Sequence, residues 1–165
     1  MKQKFKVDGL DATDSFGKKL GSLLQPGSIL LLEGEMGAGK TTLIKSICSV
    51  LGINPDIVTS PTYTFANRYP GNLEVSHVDL FRIENPEELD DFDREELICD
   101  DGITMIEWPS FLERTLKEDH LLKLQLEVLE PDCRSIFMIS NSTIYDPMFD
   151  EDTFTGVLNN CTMIQ

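Results

Sequence analysis

Basic side chains are scarce in this chain of 165 residues. It has 14 Lys and Arg residues against 29 Asp and Glu residues, which gives a formal net charge of −15 at pH 7. A protein of that charge is repelled by the phosphate backbone of nucleic acids and by anionic membrane surfaces. The composition therefore argues against direct, tight binding of RNA or DNA by this chain alone.

Cysteine and long apolar runs are also scarce. Cys48, Cys99, Cys133 and Cys161 form no C-x-x-C pair and have no histidine at the spacing of a metal site, as expected for free thiols inside the cell. No run approaches the roughly 20 apolar residues of a membrane span, and the first residues lack the apolar stretch of a signal peptide. We therefore expect a soluble, cytoplasmic protein that does not contact membranes.

Hydrophobic residues make up 41% of the chain, which suffices for one core. We predict a single domain over residues 1–140, followed by an acidic and loosely attached extension over residues 141–165, which contain no basic residue. A second acidic stretch, residues 86–99, has a helical pattern. Its interpretation as a solvated face is favoured over a partner surface.

The main motif is the segment GEMGAGKTT at residues 34–42, directly after an apolar run at residues 29–32. It matches the pattern G-x-x-x-x-G-K-[ST], in which backbone N–H groups surround phosphates, Lys40 reaches the β- and γ-phosphates, and the Thr41 hydroxyl binds Mg²⁺. A glycine-rich turn without a ligand is the alternative. The loop residues expected to contact a nucleoside triphosphate are Glu35, Met36, Gly37, Ala38, Gly39, Lys40, Thr41 and Thr42.

Periodicity in the remaining sequence predicts the elements around this loop. A helix is expected over residues 11–24, with Asp11 and Thr13 as candidate caps, and a hairpin over residues 62–69 and 73–80. Further strands are expected at residues 103–106, 121–129 and 135–139. The predicted fold class is α/β, a P-loop NTPase-like mixed sheet flanked by helices.

Two carboxylates follow predicted buried strands and are candidates to complete a metal site. Asp79 ends one strand and Glu107 another, and ligands of open α/β sheets bind at such strand ends. The alternative for each is a carboxylate that only caps the next helix. The segment TSPT at residues 59–62 is either a γ-phosphate sensor or a Ser/Pro turn. His77 and His120 are interpreted as structural, and Trp108 as a half-buried positioning residue beside Glu107.

In this order the motifs resemble the TsaE family, the small ATPases of bacterial tRNA threonylcarbamoyladenosine biosynthesis. The resemblance spans roughly residues 10 to 140. It rests on Thr13 with Gly17 and Gly21 in the first helix, the loop at residues 32–42, TSPTY at 59–63, HVDLFR at 77–82 and IEWP at 106–109.

The resemblance implies ATP and Mg²⁺ as cofactors and assigns roles to residues. Thr13 would lie by the adenine, Thr41 and Glu107 would ligate Mg²⁺, and Asp79 would be the Walker-B-type acid near the metal. Arg134 would lie near the nucleotide. Lys40, Asp79 and Glu107 are thus the expected catalytic residues, and Thr41, Asp79 and Glu107 the expected metal site.

The resemblance also implies a partner. ATP hydrolysis would act on a heterodimer of the TsaD and TsaB proteins, which transfers the threonylcarbamoyl group to adenosine 37 of tRNAs reading codons that begin with A. Contact with tRNA would then be indirect. Two other functions remain open, a P-loop small-molecule kinase and an ATP-gated assembly factor in which hydrolysis is incidental. A GTPase is disfavoured because no N-K-x-D segment is present.

Overall fold

The computed structural model describes residues 1–109, 111–116, 118–150, 153, 154 and 161–164. In this part of the chain the strands and α-helices are β1 (Lys2–Asp8), α1 (Gly9–Gly21), β2 (Ile29–Glu33), α2 (Lys40–Val50), β3 (Ala66–Tyr69), β4 (Val75–Asp79), α3 (Arg94–Leu97), β5 (Ile103–Glu107), β6 (Leu121–Glu130), β7 (Cys133–Ile139) and β8 (Cys161–Ile164).

The strands form one eight-stranded sheet in the order β3-β4-β5-β2-β6-β7-β1-β8. Its central strands β4, β5, β2 and β6 run parallel, whereas the strands at both ends pair antiparallel. The predicted α/β class with a mixed sheet flanked by helices is confirmed. Because β2, β4 and β5 are parallel, Glu33, Asp79 and Glu107 end at the same edge of the sheet.

Side chains of β2 alternate between the two faces of the sheet, as the period of a strand requires. Leu30 and Leu32 join a core with residues of α1 and α2, and Ile29 and Leu31 join a second core on the other face. Helices α1 and α2 approach closely at Gly17. A Cβ atom there would lie 2.6 Å from the Cβ of Ser46, so glycine is required for this packing.

The first helix begins two residues earlier than predicted and ends at Gly21, three residues before the predicted end. It begins at Gly9 after Asp8, so neither Asp11 nor Thr13 caps it, and the Thr13 hydroxyl donates to the Gly9 carbonyl at 3.0 Å inside the helix. The pattern of apolar residues places a helix well, but several polar residues can serve as its first residue. The predicted hairpin is confirmed as β3 paired antiparallel with β4, both shorter than expected.

The acidic stretch does not form the single helix that its pattern suggested. It contains a 3₁₀ turn over Pro86–Asp91 and the one-turn helix α3, separated by Phe92 in extended conformation. Local hydrogen bonds explain the break, since Asn85 with Glu88 and Asp93 with Glu96 form two successive capping boxes that each start a new turn. Among the described residues no helix is long and apolar enough to cross a membrane.

Three apolar residues of the C-terminal segment that the structure describes pack against the rest of the protein. Tyr145, Met148 and Phe154 are buried in the core beside α1, and β8 extends the sheet by pairing with β1. The Phe154 ring stacks on Phe16 with centroids 4.9 Å apart. Described residues beyond position 140 thus join the main core, and the domain boundary expected there stays a prediction. Wide, irregular spacing of these apolar residues hides their burial from periodicity analysis.

Replacing Phe154 by Ala is expected to lower the free energy of unfolding by about 3 to 5 kcal/mol, the usual cost of deleting a buried Phe side chain. Chemical denaturation followed by circular dichroism measures the loss. Phe149→Ala is the matched control, because Phe149 is only partly buried and should cost less. An unfolding free energy of Phe154→Ala equal to that of the unaltered protein would show that residue 154 does not support the core.

Candidate nucleotide and metal site

The loop at residues 34–39 connects the end of β2 to the start of α2 and has the geometry of a phosphate-binding loop. Gly37 and Gly39 have φ angles of 83° and 103°, which other residues adopt only with strain. Helix α2 begins immediately afterwards at Lys40. Its free N–H groups and the positive end of its dipole lie at the loop, as anion binding requires.

Lys40 lies against this loop, with only 4% of its surface exposed. Its Nζ donates hydrogen bonds to the carbonyl oxygens of Gly34 (2.7 Å) and Glu35 (3.0 Å) and lies 4.0 Å from the ring centroid of Trp108. Burial lowers the pKa of the Lys40 ammonium, and the charges of Glu107, Asp79 and Glu35 oppose that effect. A phosphate group arriving here would add the negative charge that a desolvated ammonium favours.

The Glu107 carboxylate contacts residues of both helix α2 and strand β4. The Thr41 hydroxyl donates to Glu107 Oε1 at 2.8 Å, and His77 Nε2 lies 2.9 Å from the same oxygen. Glu107 and His77 are both buried, at the end of β5 and within β4. A threonine hydroxyl and a carboxylate are thus fixed side by side at the start of α2.

Asp79, which pairs with Glu107 across the neighbouring strands, is held by the segment at residues 59–62. Its Oδ2 accepts hydrogen bonds from the Ser60 hydroxyl (2.6 Å) and the Thr62 hydroxyl (2.7 Å). The backbone N–H of Phe81 donates to Oδ1 at 2.9 Å. The sequence left the segment at residues 59–62 open between a γ-phosphate sensor and a Ser/Pro turn. In the structure this segment bonds directly to Asp79, the candidate metal acid.

One cleft of about 550 Å³ brings these groups together. It is lined by residues of the loop, of the segment at 59–63 and of the strand ends: Met36, Gly37, Gly39, Lys40, Thr41, Thr42, Ser60, Thr62, Tyr63, Asp79, Phe81, Glu107 and Trp108. Apolar side chains at its mouth are exposed, Met36 by 73% and Tyr63 by 85%.

A smaller cavity of about 110 Å³ also borders the loop. Its lining includes Gly37, Ala38, Gly39 and Thr42 from the loop together with Thr13 and Arg134. The Arg134 guanidinium donates to the Pro131 carbonyl at 2.7 Å in the turn between β6 and β7. Gly37, Gly39 and Thr42 line both spaces, so the cleft and the smaller cavity are adjacent.

The predicted residues other than Glu35 thus fall into two groups, one lining the cleft and one, with Thr13 and Arg134, lining the smaller cavity. Glu35 contributes its backbone carbonyl, and its side chain is exposed. The contacts of all the predicted site residues with nucleotide stay predictions. Sequence reasoning treated His77 as merely structural, yet it touches Glu107; strand alternation, which puts His77 and Asp79 on one face of β4, is the signal that could have found it. Trp108 is half-buried, as predicted, and also covers Lys40.

Hard oxygen ligands are what this cleft offers a cation. No cluster of three or more His, Cys, Asp or Glu side chains suited to a metal ion occurs in the described ranges. Mg²⁺ does not need one, because it keeps several waters and is held by one or two protein oxygens together with phosphates of the substrate. The adjacent Thr41 hydroxyl and Glu107 carboxylate fit that requirement.

Comparison with known proteins agrees with this geometry. The family model described as threonylcarbamoyl adenosine biosynthesis protein TsaE matches residues 7–136. The crystal structure of Bacillus subtilis YdiB superposes with a TM-score of 0.68 at 25% sequence identity, covering 88% of this chain and 90% of that one. This chain and that solved protein therefore share their overall fold.

Named relatives carry the same description, tRNA threonylcarbamoyladenosine biosynthesis protein TsaE. The Bacillus subtilis protein is 32% identical over 153 residues, which cover 92% of this chain and 94% of the relative. The Treponema pallidum protein is 35% identical over 124 residues, covering 75% of this chain and 90% of the relative. With its phosphate-binding loop, its mixed sheet and these matches, the chain belongs to the TsaE family of tRNA threonylcarbamoyladenosine biosynthesis proteins.

Proposed function

We propose that the chain binds and hydrolyses Mg²⁺-ATP, and that the hydrolysis cycle drives or resets a TsaD–TsaB heterodimer that modifies adenosine 37 of tRNA. One observation carries the proposal: Lys40, Thr41, Asp79 and Glu107 line a single cleft at the loop. Positive charge, hard oxygen ligands and a helix N-terminus at one point are what triphosphate binding requires.

The roles of the side chains follow from their positions. Lys40 would exchange its bonds to two loop carbonyls for bonds to phosphate oxygens, and Thr41 and Glu107 would hold the metal. The chemistry that Mg²⁺ supplies when bound is neutralisation of charge on the phosphate oxygens. Asp79, fixed by Ser60 and Thr62, would orient the groups around the terminal phosphate. In the smaller cavity, Thr13 and Arg134 would contact the nucleoside.

Ser60 and Thr62 would couple the nucleotide site to the surface that a partner contacts. Both line the phosphate cleft and bond to Asp79, and the adjacent Tyr63 is exposed at the cleft mouth. A phosphate or metal that competes for Asp79 would alter these bonds and so the neighbouring surface. A partner that prefers one arrangement must then bind with an affinity that depends on the nucleotide.

We expect the heterodimer to bind this chain more tightly with ATP than with ADP, by a factor of roughly 5 to 150, the usual range of coupling between sites. Thr62→Ala should bring that ratio close to one while changing ATP affinity much less. Titrations in ATP, ADP and no nucleotide measure it. Thr64→Ala is the control, because the Thr64 hydroxyl bonds to Asn67 and not to Asp79.

Two outcomes would contradict the proposal. Equal affinity of the heterodimer in all three nucleotide states would remove the switch. Tight binding of tRNA by the isolated chain at moderate salt would contradict the indirect route, which is expected from the net charge of −15.

A further inference from the structure

His77 is a fully buried histidine, and the only hydrogen-bond partner of its side chain in the described part of the chain is a candidate metal ligand. Its Nε2 lies 2.9 Å from Glu107 Oε1, while its Nδ1 is buried and has no hydrogen-bond partner among the described residues. A histidine kept only to satisfy the core would be expected to use both ring nitrogens. This one uses the nitrogen that faces the cleft residue.

The direction of the bond follows from the inventory of donors. An ionised carboxylate can only accept, so the His77–Glu107 bond requires the proton on Nε2. In that tautomer Nδ1 is an acceptor, and no N–H group is left buried without a partner. The unpaired Nδ1 and the bonded Nε2 thus agree on one tautomer.

Both hydrogen bonds to Glu107 converge on one oxygen. His77 and the Thr41 hydroxyl donate to Oε1, so Oε2 has no protein donor in the described ranges. His77 reaches Glu107 because β4 and β5 are parallel neighbours, with Asp79 opposite Glu107 and His77 two residues earlier on the same face. The sheet core therefore fixes the rotation of the carboxylate.

We propose that His77 is a positioning residue for the metal site, acting through Glu107 and not on the substrate. By holding Oε1, it keeps Oε2 and the Thr41 hydroxyl oriented for one Mg²⁺ ion before the nucleotide arrives. The inference rests on the proposed assignment of Glu107 as a metal ligand. Partners that orient metal ligands in this way commonly contribute 10- to 100-fold to metal affinity.

Calorimetric titration with ADP, in Mg²⁺ and in EDTA, tests the proposal without any turnover. Mg²⁺ should strengthen ADP binding by the unaltered protein. His77→Leu should lose roughly 10- to 100-fold of that enhancement and keep its affinity in EDTA. Ser76→Ala is the control for disturbing the strand, because Ser76 is equally buried but bonds to the Leu97 carbonyl.

Two amide variants keep the test decisive if His77→Leu does not fold. The side-chain nitrogen of His77→Gln can occupy the position of Nε2, whereas that of His77→Asn corresponds to Nδ1 and falls short of Glu107. The proposal expects the increase in ADP affinity that Mg²⁺ provides to survive in His77→Gln and to fall in His77→Asn. The proposal would be overturned if His77→Asn or His77→Leu kept the full increase in ADP affinity with Mg²⁺, or if Ser76→Ala lost as much of it. If Mg²⁺ did not strengthen ADP binding by the unaltered protein, the proposed Mg²⁺ site itself would be contradicted instead.

Discussion

Lys40→Ala should abolish nucleotide-dependent activity while the protein still folds. The variant would lose the proposed charge-assisted hydrogen bonds to phosphate. Two such bonds, at about 1.5 to 3 kcal/mol each, correspond to a fall in ATP affinity of about 100-fold or more. The free energy of unfolding without nucleotide should change by no more than about 1 kcal/mol. Nζ bonds to two loop carbonyl oxygens, and water from the cleft that Lys40 lines can replace it there.

ATP titration and chemical denaturation of the same preparation separate these effects. Lys45→Ala is the matched control, because it removes the same charge from the same helix at a residue that does not line the cleft. Normal ATP hydrolysis by Lys40→Ala would show that the loop at residues 34–42 does not bind phosphate.

Glu107→Ala and Asp79→Asn are expected to separate metal binding from turnover. Glu107 bonds to Thr41 at the start of α2, so Glu107→Ala should remove most of the increase in ATP affinity that Mg²⁺ provides, and leave binding in EDTA nearly unchanged. Asn at position 79 keeps an oxygen that can accept from Ser60 and Thr62 but loses the charge. Asp79→Asn should therefore chiefly lower the rate of hydrolysis.

ATP affinities of both variants with and without Mg²⁺, together with single-turnover rates, decide between these roles. Glu107→Gln isolates the charge from the hydrogen bond, since its amide oxygen can still accept from Thr41. An unchanged Mg²⁺ dependence in Glu107→Ala would remove Glu107 from the metal site. A large loss of ATP affinity in Asp79→Asn would place Asp79 in nucleotide binding itself.

Local sequence was sufficient to predict the phosphate loop, because the glycines, Lys40 and Thr41 that define it are contiguous and the loop follows a buried strand. Asp79 and Glu107 could be predicted as neighbours for a similar reason. Each ends a parallel strand, and such ends meet at one edge of the sheet. These parts of the site depend on short-range patterns.

The contacts that the sequence did not indicate are long-range. Strand β1 pairs Lys2 with Ile139, and β8 then pairs with β1, so no local pattern reveals either strand. The bond from His77 to Glu107 joins residues 30 positions apart, and that from Ser60 to Asp79 joins residues 19 apart. Their geometry exists only after the sheet has formed.

The rival functions differ in where the phosphoryl group goes. A small-molecule kinase would transfer it to a metabolite, usually beneath a lid with arginines that neutralise its charge. Arg82, the arginine of the HVDLFR segment, instead lies over the rings of Tyr63 and Phe65, with its Cζ 5.5 Å and 5.9 Å from their centroids. An assembly factor would need ATP only for binding, so Asp79→Asn would leave it functional.

The most direct test is phosphate release from ATP by the purified chain, measured alone and with the TsaD–TsaB heterodimer, with Lys40→Ala as the blank. We expect slow release by the chain alone, a marked increase on adding the heterodimer, and none from Lys40→Ala under either condition. A rate that the heterodimer leaves unchanged, or transfer of the phosphoryl group to a metabolite in place of water, would contradict the account.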